Sequence, residues 1–226
     1  MSSRVAVFFE RSQEQKLEPL VAAEIEAQVI ATLLHTNPII GKQATKTEII
    51  RQITEVKLVH LATHGLLNEI KSLRMPGAIA LSPSASDNGF LTTEDILKLK
   101  LQADLVVLSA CRSGQGDITG DGVVGLSRSL TAAGISSIVV SLWAVNDLST
   151  AFLMVKFYQM LLQGLSPAVA LNKAQRWLLN STQQELMNWF KENLIVLCLP
   201  TLRIHIQRLL KSQSDMKTMV LQYLLC

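Results

Sequence analysis

A histidine, a cysteine and an aspartate each stand just past a short apolar run of this chain, and these are residue types that move protons and form covalent bonds. His64 follows the run Lys57 to Ala62; Cys111 follows Leu105 to Leu108 with Ser109 and Ala110 between; Asp147 follows Ser137 to Leu142 and the segment Trp143 to Asn146. If the runs are strands of an open parallel sheet, all three leave it at the carboxyl edge, where such sheets bind ligands. A free thiol has a pKa of about 8.5 and is mostly protonated at neutral pH. An imidazole beside it takes that proton, or as imidazolium stabilises the thiolate. The pair can then attack a carbonyl and protonate a leaving amine, with backbone N–H groups receiving the oxyanion. The amides of Gly65, next to His64, and of Cys111 itself are the candidate donors. A glycine there lets the backbone approach a substrate closely.

Each residue also has a plainer reading. A lone cysteine after a strand packs as a small hydrophobe; that reading stands for Cys198, inside Leu194 to Leu199, while Cys226 is a terminal thiol. His60 lies within its run and packs there, or supports His64; His35 and His205 are read as structural. Asp147 is equally suited to cap the helix that follows it. Asp117 and Asp121 sit in the glycine-rich stretch Gly114 to Gly122, read as a mobile loop bordering the cleft. Asp121 is either a secondary pocket acid or a turn residue. Trp143 is read as core before cleft wall. No GxxxxGK[ST] and no GxGxxG follows a strand, which disfavours a flavodoxin-like small-molecule domain.

The elements that must position these groups are legible in the pattern. Val5 to Phe9 reads as a short strand. Pro19 opens a helix whose Val21, Ile25, Val29 and Leu33 form one stripe, stopping before Pro38. Thr45-Lys46-Thr47-Glu48 is a capping box, as is Thr182-Gln183-Gln184-Glu185. The runs 57–62, 78–81, 105–108 and 137–142 do not alternate, so they predict parallel strands buried on both faces. Between them, Thr92 or Thr93 caps a helix through Ile96 and Leu99. Further helices are predicted over 123–133, closed by Gly134; over 148–163, closed by Gly164; and from Ser166-Pro167 to Leu179. Alternating strand and helix predicts an α/β class, a three-layer α/β/α fold with a mostly parallel central sheet.

The chain has 226 residues, 49% hydrophobic and 17% charged, which excludes disorder for most of it. Lys+Arg 21 against Asp+Glu 18 leaves +3, with no run of like charge, so neither nucleic acid nor an anionic membrane surface is the expected partner. Three cysteines without CxxC spacing point away from a disulfide framework and from a zinc site, and toward a reducing cytoplasm. No stretch reaches the ~18–20 apolar residues of a membrane span, and Val5 to Phe9 is too short for a signal-peptide core.

Cys111 follows His64 by 47 positions, and Ala110-Cys111-Arg112 matches the core of the caspase signature, whose histidine stands ~50 residues upstream. Together with Leu91-Thr92-Thr93-Glu94-Asp95-Ile96, Gly120 to Leu126, Ser141 to Asp147 and Gly164 to Ala168, the stretches His60 to Gly65 and Asp104 to Cys111 resemble the CHAT domain. That is a caspase- and separase-related peptidase-like domain, often joined to tetratricopeptide repeats in bacteria. The resemblance implies a caspase-like fold, a cysteine endopeptidase with His64 as general base or acid and Cys111 as nucleophile, and an oxyanion hole from the Gly65 and Cys111 amides. It implies that Asp147 meets a basic side chain on the amino side of the scissile bond, hence cleavage after Arg or Lys. It requires no metal and no cofactor. The partners it points to are a protein or peptide substrate, a tetratricopeptide-repeat protein and a second copy of the chain. The alternative is a catalytically inactive interaction module with the last two as its partners. Residues 1–180 are read as the CHAT domain. No aromatic-rich closing strand follows Trp189, so 181–226 are read as a divergent, helical C-terminal extension.

Overall fold

A computed structural model describes residues 5–9, 20–66, 77–110, 117–119, 122–142 and 145–193. The elements in chain order are β1 (Val5–Phe9), α1 (Val21–Leu33), β2 (Ile39–Ile40), α2 (Lys46–Ile53), β3 (Leu58–Ala62), β4 (Gly65–Leu66), β5 (Ala78–Ala80) and β6 (Phe90–Thr92). They continue with α3 (Thr93–Leu97), β7 (Leu105–Ser109), β8 (Asp117–Thr119), β9 (Gly122–Val124), α4 (Leu126–Ala132), β10 (Ser137–Val140), α5 (Asp147–Leu162), α6 (Pro167–Asn180) and α7 (Gln183–Asn193). The chain divides into two compact units, Met1–Leu20 with Thr36–Ala144, and Val21–His35 with Val145–Cys226.

The first unit is built on a five-stranded sheet in the order β10-β7-β3-β1-β2, parallel at every pairing. β7, paired with a strand on each side, is buried at all five positions, which is why its sequence is apolar without alternation. β10 stands at the end of that order and is only half-buried. On one sheet face, Val59, Leu61, Val106 and Leu108 pack with Ile49 and Ile53 of α2, Ile96 of α3, and Leu126 and Leu130 of α4. The expected α/β class and mostly parallel central sheet are thus present.

Two local expectations are corrected. Ala78–Ala80 is not a parallel strand: β5 lies antiparallel between β4 and β6 in a separate three-stranded sheet. Its residues are fully buried all the same, so the apolar run reported burial and not strand direction. The predicted helix over 123–133 starts only at Leu126, because Gly122–Val124 pairs antiparallel with Asp117–Thr119. The described parts of the glycine-rich stretch are therefore a β-ladder where a mobile loop was expected.

Helix ends follow their signals closely. Thr92 closes a full capping box with Asp95, whose carboxylate accepts from the Thr92 amide at 3.0 Å and also meets Lys46 Nζ at 2.7 Å. Thr45 makes only half of its box. It accepts from the Glu48 amide at 3.3 Å, while the Glu48 carboxylate turns to Arg51 and Gln52. Thr182 and Glu185 form the reciprocal pair at the start of α7. Gly134 and Gly164 end their helices at φ of 107° and 85°, in the left-handed region that glycine adopts without strain.

The second unit is helical. α1 packs on α5 and α5 on α6. α5 is buried from Leu148 through Val155 and again at Phe157 and Tyr158, which leaves it little polar face. α7 is seated by Trp189, whose ring lies 5.8 Å from Phe152 and 4.8 Å from Trp177, with Lys156 Nζ 5.0 Å above the Trp177 ring. Among the described residues, no helix is long and apolar enough to cross a membrane. Cys198, Cys226 and His205 lie outside the described residues.

Candidate functional site

The rim where β3 and β7 end is fixed by their register. Ala62 pairs with Ser109, and the next amide, Thr63 N–H, donates to the Ser109 carbonyl at 3.2 Å. His64 is two residues beyond Ala62, and Cys111 is two residues beyond Ser109. Cys111 lies outside the described residues, as do Asp121 and Trp143. The backbone at His64 is held on its far side as well. The Thr63 hydroxyl donates to the Ala80 carbonyl at 2.6 Å, and the Ala80 amide donates to the His64 carbonyl at 3.0 Å. His64 is half-buried, whereas His60, within β3, is fully buried.

Gly65 occupies a telling place in this arrangement. It faces Ile79 across the β4–β5 ladder. The bond from the Ala80 amide to the His64 carbonyl makes Gly65–Ile79 a non-hydrogen-bonded pair, so the Gly65 N–H points out of that ladder. An amide turned out of the sheet next to an imidazole is the kind of donor an oxyanion needs.

Ser109 closes β7 at this rim. It is 8% exposed, and its hydroxyl has no hydrogen-bond partner among the described residues.

Asp147 belongs to the second unit, and it is not the cap of the helix that follows it. The cap of α5 is Asn146, whose side chain accepts from the Leu148 and Ser149 amides at 3.1 and 3.2 Å. Asp147 is the first helical residue, and its Oδ2 accepts from the amide of Ala22, at the start of α1, at 2.9 Å. Burial pushes its carboxyl up to about 6, with the nearby charge of Glu26 adding to the rise and the amides of Ala22 and Ala23 opposing it. Glu26 itself is 1% exposed. No group of three or more His, Cys, Asp or Glu among the described residues is arranged to hold a metal ion.

The chain is 29% identical over 190 residues to tetratricopeptide repeat protein 28 of Homo sapiens and, at the same identity and length, to that of Mus musculus. The match covers 70% of this chain and 8% of each relative, so the chain spans a small part of the proteins it resembles. A flavodoxin of Streptococcus pneumonia TIGR4 superposes over 71% of this chain and 99% of its own, at 14% identity and a TM-score of 0.35, too loose a likeness to carry an argument. The CHAT domain profile matches residues 2–199, and the chain belongs to that family, of the caspase-like, peptidase-related kind.

Proposed function

We propose that this chain is a cysteine endopeptidase working through His64 and Cys111. The observation that supports it is the in-register ending of β3 and β7, which leads the chain toward both residues from neighbouring strand ends. In this reading His64 takes the Cys111 proton, and the thiolate adds to the scissile carbonyl. The oxyanion is received by the Gly65 and Cys111 amides. The tetrahedral adduct collapses as imidazolium protonates the leaving amine. Water, deprotonated by His64, then releases the acyl group. The chemistry draws on no metal or cofactor, and a reducing cytoplasm keeps the thiol competent.

Cleavage after Arg or Lys is the finer part of the proposal and rests on Asp147, with Asp121 as a secondary acid. With Oδ2 held by the Ala22 amide, the contact this reading asks of Asp147 is a single charge-assisted hydrogen bond from the substrate's guanidinium or ammonium to Oδ1. The test is hydrolysis of fluorogenic peptides ending in Arg, Lys or Asp by the wild type, Cys111→Ala and His64→Ala. The reading expects turnover of Arg and Lys peptides by the wild type alone. Turnover that survives Cys111→Ala overturns the dyad, and preference for Asp overturns the specificity.

The names of the relatives favour a second reading, a non-catalytic module that docks with tetratricopeptide-repeat proteins or with itself. Retained binding to such a protein with no cleavage in its presence would decide for it.

A further inference from the structure

α1 starts without a cap of its own. The residue before Val21 is Leu20, which has no side-chain oxygen to offer the first amides. The missing acceptor comes from the chain 125 positions later, where Asp147 Oδ2 accepts from Ala22 N–H at 2.9 Å. Ala22 is the second residue of the helix and Ala23 the third, the two amides an N-cap side chain normally serves. One turn further along α1 stands Glu26, 1% exposed, and Tyr158 of α5 is fully buried. We propose that Asp147 is the N-cap of α1, lent by α5, and that this loan makes the α1–α5 packing respond to pH between about 5 and 7.

The groups that bear on Asp147 are few. From α1 come the Ala22 and Ala23 amides, which favour the carboxylate, and Glu26, which disfavours it. α5 carries one further charge, Lys156, whose ammonium sits over the Trp177 and Trp189 rings, and Tyr158 answers to burial and to Glu26, both of which push its phenol up. Among the described residues, no charged group of α6 or α7 bears on Asp147 and no Lys or Arg pairs with it. Burial and the like charge outweigh the amides, lifting Asp147 from 3.8 to about 6. A carboxyl raised on folding gives stability that is fully present below its unfolded value and is lost as pH rises through its folded one. The packing therefore tightens as the solution is acidified from neutrality. From these two values the folding constant gains about tenfold between pH ~7.5 and ~5.

The experiment compares urea midpoints of wild type and Asp147→Asn over that range. Asn keeps an acceptor for the cap and removes the charge. Histidine titration is common to both proteins, so the difference between them carries the effect. The wild type is expected to gain about tenfold over Asp147→Asn at acid pH relative to neutral pH, with hydrogen exchange in 21–33 slowing in parallel. Glu26→Gln keeps the cap, removes the like charge and should move the wild-type dependence to lower pH. A carbon-13 titration of the Asp147 carboxyl in the intact chain gives the same answer without a variant. Parallel curves for wild type and Asp147→Asn, or a carboxyl titrating near 4, would overturn the proposal.

Discussion

Gly89 shows how much a single position carries. Its φ is +75°, and a Cβ there would stand 2.3 Å from the Leu81 carbonyl oxygen, a backbone atom that cannot step aside. Gly89→Ala is expected to cost at least about 1–3 kcal/mol, read as a lower thermal midpoint. Asp95 is a second such position. Burial works to raise its carboxyl, but the Lys46 ammonium and the Thr92 amide and hydroxyl together hold it below the usual range. That sign is opposite to Asp147: the stability it lends is present above its unfolded value and is lost as pH falls through its lowered one. Asp95→Asn should therefore flatten the acid limb of the stability curve below pH ~4 and leave the neutral limb's slope unchanged. Equal acid sensitivity in both proteins would remove the Lys46–Asp95 pair from the account.

The elements owe more to caps than to propensity. Thr92→Ala removes the hydroxyl half of the α3 box while keeping the residue-92 amide to Asp95, and is expected to cost about 1 kcal/mol of folding stability in a urea titration. Trp189→Ala removes two ring contacts on α7 and should cost about 1–3 kcal/mol, with hydrogen exchange rising first in 183–193. These elements were largely readable because their causes are local: a threonine three residues before an acid, a glycine after the last turn, an apolar run between turn residues. What was not readable is non-local. The direction of β5 depends on β4 and β6, two strands too short to leave a periodic signal. Residues 123 and 124 look helical until the ladder of 122–124 with 117–119 is known. Likewise nothing near Leu20 says that the cap of α1 arrives from Asp147.

At the scale of the molecule, a five-stranded sheet parallel at every pairing brings the ends of distant segments to one edge. The rim at His64 and Gly65 was legible because strand ends could be counted from the apolar runs. Gly65 stands out as a candidate amide donor from its place beside His64, but the direction of its N–H was not legible, since it follows from which pairs of the β4–β5 ladder are hydrogen-bonded. The most direct test of the His64–Cys111 pairing is the pH dependence of Cys111 alkylation by iodoacetamide, with Cys198 and Cys226 replaced by serine, in the presence and absence of the imidazole. The account predicts a Cys111 thiol that ionises well below ~8.5 and returns toward that value in His64→Ala. A thiol of ordinary reactivity, the same in both proteins, would contradict it.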